Sequence, residues 1–275
     1  MQDGASSAKA TTWNLYSNGG IAACIALPPF ILYLIMWERL HSFFYAVMLT
    51  AMLFMMNVTK LWYHQARPFW VDPEIEAYDC TTQFGNPSGH SLFSMGAAMT
   101  IWLDFNERYA RCVESRLHPL WVRLIALLIT LMFAFTIGYS RVFLGAHSWN
   151  QLLFGWQLGL WLALTYFFCY KEPIMHHMEQ MHRGVVQSTR KFIVWGIIAF
   201  VLVLALETAD YLITVPKIQI DDNWTKNIEA KCEKADISEA YSSKSEIQNG
   251  IIGIGFGAYF GMIFFAKKNP CPGKP

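Results

Sequence analysis

Seven long apolar segments recur along the chain, separated by polar stretches. Roughly 20 mostly apolar helical residues cross the hydrocarbon core of a bilayer, and each of these segments approaches that length. The pattern therefore predicts an all-α integral membrane protein. The predicted spans cover residues 21–37, 43–61, 88–103, 120–139, 149–170, 192–213 and 251–266.

The polar stretches divide the chain into four parts. Residues 1–20 form a polar lead without a basic cluster, and no small-residue cleavage site follows the first apolar segment. That segment is therefore interpreted as a span rather than a signal peptide. Six spans lie between residues 21 and 213. A polar loop at 214–250 separates them from a seventh span with a short tail at 251–275.

Composition supports a membrane protein and excludes several other classes. Hydrophobic residues make up 54% of the chain and charged residues 15%, against about 25% charged residues in an average soluble domain. The formal charge of +1 provides no concentrated basic surface, so a nucleic acid partner is not expected. The six cysteines form no C-x-x-C pair, so neither a zinc site nor a redox motif is indicated.

The distribution of basic residues predicts the orientation in the membrane. With seven spans, one side holds the loops at 38–42, 104–119 and 171–191 and the C-terminal tail, and carries 12 of the 21 Lys and Arg residues. Positive residues in short loops mark the cytoplasmic side. The opposite side, with the loops at 62–87, 140–148 and 214–250, is therefore predicted to be lumenal or extracytoplasmic.

A first cluster of candidate chemistry lies at the end of the second span. Lys60 and Arg67 are seven residues apart, so they share one helical face before Pro68 ends or kinks the helix. Charged groups this close to a membrane core are costly unless they serve a site. The alternative is that both side chains simply snorkel to the interface.

A second cluster, Asn86-Pro87-Ser88-Gly89-His90, opens the third span. Asn suits the N-cap and Pro suits the first helical position. The free amides of such a helix start can bind an anion. The alternative is a plain helix start with an incidental histidine.

A third cluster consists of Ser140-Arg141, His147 and Gln151, between the fourth and fifth spans. By itself it is equally explained as a basic loop residue and a helix-capping histidine. The predicted topology, however, returns all three clusters to the same membrane face. Two guanidinium groups and an ammonium group around open amides suit a phosphate dianion, and two histidines can supply a nucleophile and a proton donor.

Together the three clusters resemble the signature motifs of the type 2 phosphatidic acid phosphatase superfamily, in family order and spacing. The resemblance covers residues 43–170 through the motifs and extends by span pattern to residue 213. It implies a six-helix phosphatase core bundle plus one additional C-terminal transmembrane helix. The matching motifs are Lys60-x6-Arg67-Pro68, Pro87-Ser88-Gly89-His90 and Ser140-Arg141-x5-His147.

The resemblance also implies a role for each motif residue. His147 would attack phosphorus to form a phosphohistidine, and His90 would protonate the leaving alcohol and then activate water. No metal or other cofactor is required, because the fixed cations stabilise the transition-state charge. Five residues would hold the phosphate oxygens: Lys60, Arg67, Ser88, Gly89 and Arg141.

Gln151 departs from the usual family pattern, which has an acidic residue four positions after the nucleophilic histidine. An amide can still accept a hydrogen bond from the imidazole N–H, but it lacks the negative charge. The glucose-6-phosphatase-like branch of the superfamily is similar to this chain at that position and in the Arg67-Pro68-Phe69-Trp70 run. Gln151 is therefore interpreted as a branch feature that orients His147, rather than as a sign of inactivation.

The sequence thus predicts a metal-independent integral membrane phosphatase that hydrolyses a phosphate monoester, either a lipid phosphate such as phosphatidic acid or a sugar phosphate. Its expected partners are this substrate and the lipid bilayer, and a homo-oligomer or a membrane-complex partner stays open. One alternative is a catalytically weak or inactive family member that serves as a structural subunit of a membrane complex. Another is a transporter or channel, which leaves the three motifs unexplained.

Further expectations depend on the site facing the lumen of the endoplasmic reticulum or another endomembrane. Cys80 and Cys232 lie on the predicted lumenal face, where oxidising conditions favour a disulfide bond. Such a bond would hold the 214–250 loop over the phosphate site as a lid; the alternative is two free thiols. Asn223-Trp224-Thr225 is an N-glycosylation sequon on the same face.

Overall fold

The computed structural model describes residues 7–36, 38–112, 120–182, 189–232 and 244–268, and most of these residues are helical. No strand occurs among these residues, so the prediction of an all-α protein is confirmed. The helices are α1 (Ser7–Phe30, continued by a π-helical turn at Ile31–Ile35), α2 (Arg39–Tyr63), α3 (Pro68–Val71), α4 (Gly89–Cys112), α5 (Leu120–Phe143), α6 (Trp149–Thr165, continued by a π-helical turn at Tyr166–Tyr170), α7 (Lys171–His182), α8 (Thr189–Thr214, followed by a 3-10 turn at Val215–Lys217), α9 (Asp222–Lys231) and α10 (Lys244–Lys268).

Each of the seven predicted spans falls on one of these helices. Large apolar side chains of α5 and α8 are exposed on the surface of the chain, as helices in contact with lipid require. The chain is therefore an integral membrane protein, while the count of seven spans stays a prediction. Four helical stretches are long and apolar enough to cross a membrane: Arg39–Val71, Leu120–Phe143, Trp149–Met181 and Arg190–Lys217.

The first helix begins earlier than the sequence predicts. It starts at Ser7 rather than near residue 21, so residues 7–20 of the predicted polar lead are helical. Trp13 explains the difference, because its ring lies 5.8 Å from the ring of Tyr139 and 6.3 Å from that of Phe143. This packing against α5 brings the middle of α1 to the end of the bundle where the three motifs meet.

Helices α4 and α6 pack backbone against backbone, and two glycines allow it. A Cβ atom on Gly155 would lie 2.7 Å from the carbonyl oxygen of Ser88, and one on Gly159 would lie 2.3 Å from a carbonyl oxygen in the next turn of α4. Small residues four apart permit such close approach between membrane helices. As a result the starts of α4 and α6 meet, and the N–H of Ser88 donates to the carbonyl of Gln151 (3.0 Å).

An ion-pair network holds the opposite end of the bundle. The buried side chain of Lys171, at the start of α7, donates to Asp104 (3.2 Å) and to Glu107 on α4. Arg108 pairs with Asp104 (2.7 Å) and with Glu38, which precedes α2 (2.5 Å). Since these cations and carboxylates satisfy one another, the network has a structural role: it ties α2, α4 and α7 together.

The 62–87 loop and α9 pack on each other at the end of the bundle that carries the motifs. Lys231 on α9 donates to three backbone carbonyls in and after α3, at 2.8 to 3.3 Å. A disulfide bond joins Cys80 to Cys232, with a Cα–Cα distance of 5.8 Å. Residues 233–243 of the predicted lid lie outside the described residues. The shared core of the two segments consists of Phe69, Trp70, Phe84, Ile228 and Cys232.

Candidate active site

Three buried cations gather at the end of the bundle that carries the disulfide. Lys60 comes from the last turn of α2, Arg67 from the residue before α3, and Arg141 from the last turn of α5. Their exposed fractions are 8%, 2% and 2%. Burying a charge without a partner costs several kcal/mol, so such a cluster requires acidic partners or a bound anion.

Backbone carbonyls hold Lys60 and Arg67 in place. Lys60 Nζ donates to the carbonyl of Phe84 (2.8 Å), and Arg67 Nε donates to that of Gln83 (2.6 Å). Arg67 also donates to the carbonyl just before His147 (2.8 Å) and lies 3.1 Å from Nε2 of that histidine. Carbonyls orient these two cations without neutralising them, so their positive charge stays available to a ligand.

Among the described residues, Arg141 is the cation of this cluster that has an acidic partner, Asp79. The same guanidinium donates to Ser17 Oγ on α1 (3.4 Å), and Thr81 donates to the second carboxylate oxygen of Asp79 (2.8 Å). Burial disfavours the ionised form of Asp79, but the charge of Arg141 and these hydrogen bonds outweigh it, so the pKa of the carboxyl lies below its usual range. Three cations and one carboxylate leave a net charge that matches a phosphate dianion.

The start of α4 lies beside these cations. The helix begins at Gly89, and Ser88 is its N-cap, since Ser88 Oγ accepts from the N–H of Ser91 (3.4 Å). The prediction that Asn86 caps this helix and that Pro87 takes its first position is therefore wrong by two residues. Ser88 is fully buried, and the amides of a helix start can bind an anion.

Gln151 sets the orientation of His147, which lies between α5 and α6. Gln151 Nε2 donates to the carbonyl of Ala66 (2.8 Å), so Oε1 points the other way. There it accepts from the N–H of Ser148 (3.3 Å) and lies 3.2 Å from Nδ1 of His147. An oxygen acceptor requires the ring proton on Nδ1. The lone pair is therefore on Nε2, where it accepts a hydrogen bond from Arg67 Nη1 (3.1 Å).

The surroundings also keep His147 uncharged. Its side chain is buried, and burial lowers its pKa well below the usual range of a histidine; the three neighbouring cations add to this effect. A neutral imidazole can act as a nucleophile once the hydrogen bond from Arg67 to its Nε2 lone pair gives way to a bound anion. This is the protonation state that attack on phosphorus requires.

The second histidine, His90, lies in the first turn of α4. Its Nε2 atom lies 2.8 Å from Oδ1 of Asn18 on α1, so each of the two histidines has a side-chain amide as a hydrogen-bond partner. Sequence reasoning missed Ser17, Asn18 and Asp79. The available signal was a polar Ser-Asn pair at the edge of an apolar segment, and an acidic residue next to the predicted disulfide.

The structure brings the predicted phosphate-binding and catalytic residues to the same end of the bundle, and the sequon packs nearby through Trp224, whose ring lies 6.1 Å from that of Trp70. The imidazole rings of His90 and His147 interact electrostatically with each other and with the three cations. Cys80 of the disulfide bond directly follows Asp79 in the chain, at the edge of this cluster. Asn223 is exposed in the first turn of α9, where its backbone N–H donates to Asp221 (2.8 Å).

At one end of this membrane protein the structure combines a buried cation cluster, a helix start and two imidazoles, each hydrogen-bonded to a side-chain amide. Such an arrangement can hold an anion such as phosphate. The family model described as the PAP2 superfamily matches residues 22–175, more than half of the chain. The chain therefore belongs to this superfamily, and the predicted resemblance is confirmed.

Similar curated proteins fall in two groups. The chain is 26% identical over 206 residues to glucose-6-phosphatase 3 of Bos taurus, covering 69% of this chain and 53% of the relative. It is 28% identical over 181 residues to glucose-6-phosphatase 3 of Mus musculus, covering 64% and 46%. It is 33% identical over 93 residues to dolichyldiphosphatase 1 of Homo sapiens, covering 34% and 39%. The chain thus spans about half the length, or less, of these relatives, and no solved structure gives a significant match.

Proposed function

We propose that the protein is an integral membrane phosphatase that hydrolyses a phosphate monoester through a phosphohistidine. The observation that carries this proposal is the buried cluster of three cations with one carboxylate, next to a histidine whose Nε2 lone pair faces the cations. Such a cluster is costly in a folded protein unless an anion binds to it. A nucleophile beside bound phosphate then gives the site its chemistry.

In the proposed mechanism, five residues bind the phosphate and two histidines carry out the reaction. As His147 Nε2 forms a bond to phosphorus, the bond from phosphorus to the leaving oxygen breaks and His90 gives that oxygen a proton. Water then attacks phosphorus, His90 takes a proton from the water, and the N–P bond breaks to release inorganic phosphate. The fixed cations stabilise the charge that develops on the phosphoryl oxygens, so no metal is needed. The binding residues are Lys60, Arg67, Ser88, Gly89 and Arg141.

The names of the relatives and the membrane setting support two substrate classes. The names refer to glucose 6-phosphate and to a dolichyl diphosphate, and the proposed substrate is a lipid phosphate such as phosphatidic acid or a sugar phosphate. We also propose that the site faces the lumen of the endoplasmic reticulum or another endomembrane. The Cys80–Cys232 disulfide supports this location, because oxidising compartments retain disulfide bonds.

Phosphate release by the purified protein in detergent tests the proposal. The panel contains glucose 6-phosphate, phosphatidic acid and dolichyl diphosphate, with His147→Ala as the inactive control and EDTA to test metal independence. We expect turnover of at least one substrate that resists EDTA and is blocked by vanadate, a phosphate mimic. Absence of turnover on the whole panel, with vanadate still stabilising the protein, would favour the alternative of an inactive structural subunit.

A further inference from the structure

A side-chain amide from the middle of α1 lies within hydrogen-bond distance of the His90 ring. Asn18 Oδ1 lies 2.8 Å from Nε2 of His90. Asn18 Nδ2 donates to Oδ1 of Asn14, one turn earlier on the same helix (2.7 Å). Since its nitrogen is committed to Asn14, the Asn18 amide presents its oxygen to the histidine.

We propose that Asn18 is a positioning residue for His90, which holds the ring proton on Nε2 and leaves Nδ1 to exchange a proton with the substrate. This inference rests on the proposed phosphatase function. An amide oxygen carries no proton, so the hydrogen bond exists only if Nε2 of His90 donates it. The arrangement parallels the Gln151–His147 pair, with the reactive nitrogen reversed: Nε2 reacts in His147, and Nδ1 in His90.

The proton steps follow from this assignment. With both ring nitrogens protonated, His90 donates the Nδ1 proton to the leaving oxygen as its bond to phosphorus breaks, and the ring becomes neutral with its proton on Nε2. In the second half-reaction the Nδ1 lone pair takes a proton from the attacking water. Throughout, Nε2 keeps its proton and its bond to Asn18, so the ring does not need to turn between the two steps.

The charged groups around His90 come from four elements of the fold, and the neutral ring of His147 interacts with it as well. Four charged side chains act on the ring: Lys60 from α2, Arg67 from the residue before α3, Arg141 from α5, and Asp79 from the 62–87 loop. An amide orients the ring without adding another charge to this set. A carboxylate in its place would stabilise the protonated ring and extend its acid form to higher pH.

The test compares phosphate esters with good and poor leaving groups, p-nitrophenyl phosphate and an alkyl phosphate. General acid catalysis contributes about 10²–10⁴-fold to rate, and nitrophenolate departs without it. The contrast is measured in kcat/KM, which reports formation of the phosphohistidine and not its hydrolysis, a step common to both esters. We expect Asn18→Ala to lower kcat/KM for the alkyl ester about 10- to 100-fold, within that contribution, and to change kcat/KM for p-nitrophenyl phosphate less than threefold. Asn18→Asp should restore kcat/KM for the alkyl ester and move its alkaline limb to higher pH.

Thr12→Ala is the matched control, because Thr12 is an exposed residue of α1 whose hydroxyl donates to a carbonyl in its own helix. It should leave the ratio of the two kcat/KM values unchanged. Equal losses of kcat/KM for both esters in Asn18→Ala would mean a general structural effect and would overturn the proposal. An increase in kcat/KM for the alkyl ester would overturn it too, because Asn18 would then block the position of the leaving group. If the wild-type protein hydrolyses neither ester, the proposed phosphatase function is wrong, and the role of Asn18 that rests on it is wrong as well.

Discussion

The Arg141–Asp79 ion pair predicts a measurable effect of Asp79→Asn on stability. The Arg141 side chain is 2% exposed and that of Asp79 is 21% exposed. Breaking a buried pair by removing one partner costs about 3–5 kcal/mol, and the partial exposure of Asp79 reduces this to about 2–3 kcal/mol. At about 2–3 °C per kcal/mol for a chain of this size, Asp79→Asn should lower Tm by about 4–9 °C without phosphate.

Added phosphate should recover the stability that Asp79→Asn loses, because phosphate and Asp79 compete for the Arg141 guanidinium in the wild-type protein. A hydrogen bond to a charged group contributes about 1.5–3 kcal/mol. Removing the competitor should therefore tighten binding of inorganic phosphate or vanadate about 10- to 100-fold. Since a ligand of the folded state stabilises it in proportion to ln(1 + [L]/Kd), the Tm difference between variant and wild type should shrink as phosphate is added.

Thermal unfolding in detergent, titrated with phosphate and with vanadate, measures both effects. Asp72→Asn is the matched control: it makes the same charge change in the same loop, where the exposed side chain accepts from the N–H of Glu74 (2.9 Å). Its phosphate affinity should equal that of the wild type. Weaker phosphate binding by Asp79→Asn would refute the reasoning, since the carboxylate would then orient Arg141 for phosphate instead of competing with it.

Three further sets of experiments test the site, the helix packing and the topology. His147→Ala should abolish both turnover and phosphoenzyme in rapid-quench labelling, whereas His90→Ala should still be phosphorylated slowly by activated esters. Because the pKa of His147 is lowered, kcat/KM should show no loss from its protonation near the usual value of about 6.5 and should fall only at lower pH. Gly159→Ala, whose Cβ would lie 2.3 Å from a backbone oxygen of α4, should lose about 1–3 kcal/mol of stability. Gly257→Ala, whose Cβ would meet no atom within 4 Å beyond its own helix backbone, should not lower Tm. Asn223 should carry a glycan in a glycosylating host, seen as a glycosidase-sensitive shift in gel mobility.

Four results would contradict these predictions. Wild-type turnover by His147→Ala would remove the phosphohistidine mechanism. An acid limb near pH 6.5 in the phosphorylation of His90→Ala by activated esters would contradict the neutral state of His147. Equal stability of the two glycine variants would mean that α4 and α6 can separate at no cost. An unmodified Asn223 would weaken the lumenal assignment.

The local sequence determined the class of protein and most of the site. Inside lipid, backbone N–H and C=O groups must hydrogen-bond within the protein, and a long apolar segment meets this requirement as a helix. The all-α membrane fold therefore follows from hydropathy alone. Lys60, Arg67, His90, Arg141 and His147 were found because charged and ionisable residues at membrane boundaries are costly without a function. Their common face followed from counting spans, and the structure does bring them together.

Only the tertiary structure decided which groups complete and orient that site. Asn18 reaches His90 from a helix 72 residues away in sequence, and Asp79 reaches Arg141 across 62. The amide of Gln151 points its oxygen toward His147 because the carbonyl of Ala66, 85 residues earlier, takes its nitrogen. Contacts at such separations leave no periodicity or local spacing in the chain, because they depend on how helices pack and not on which residues follow one another.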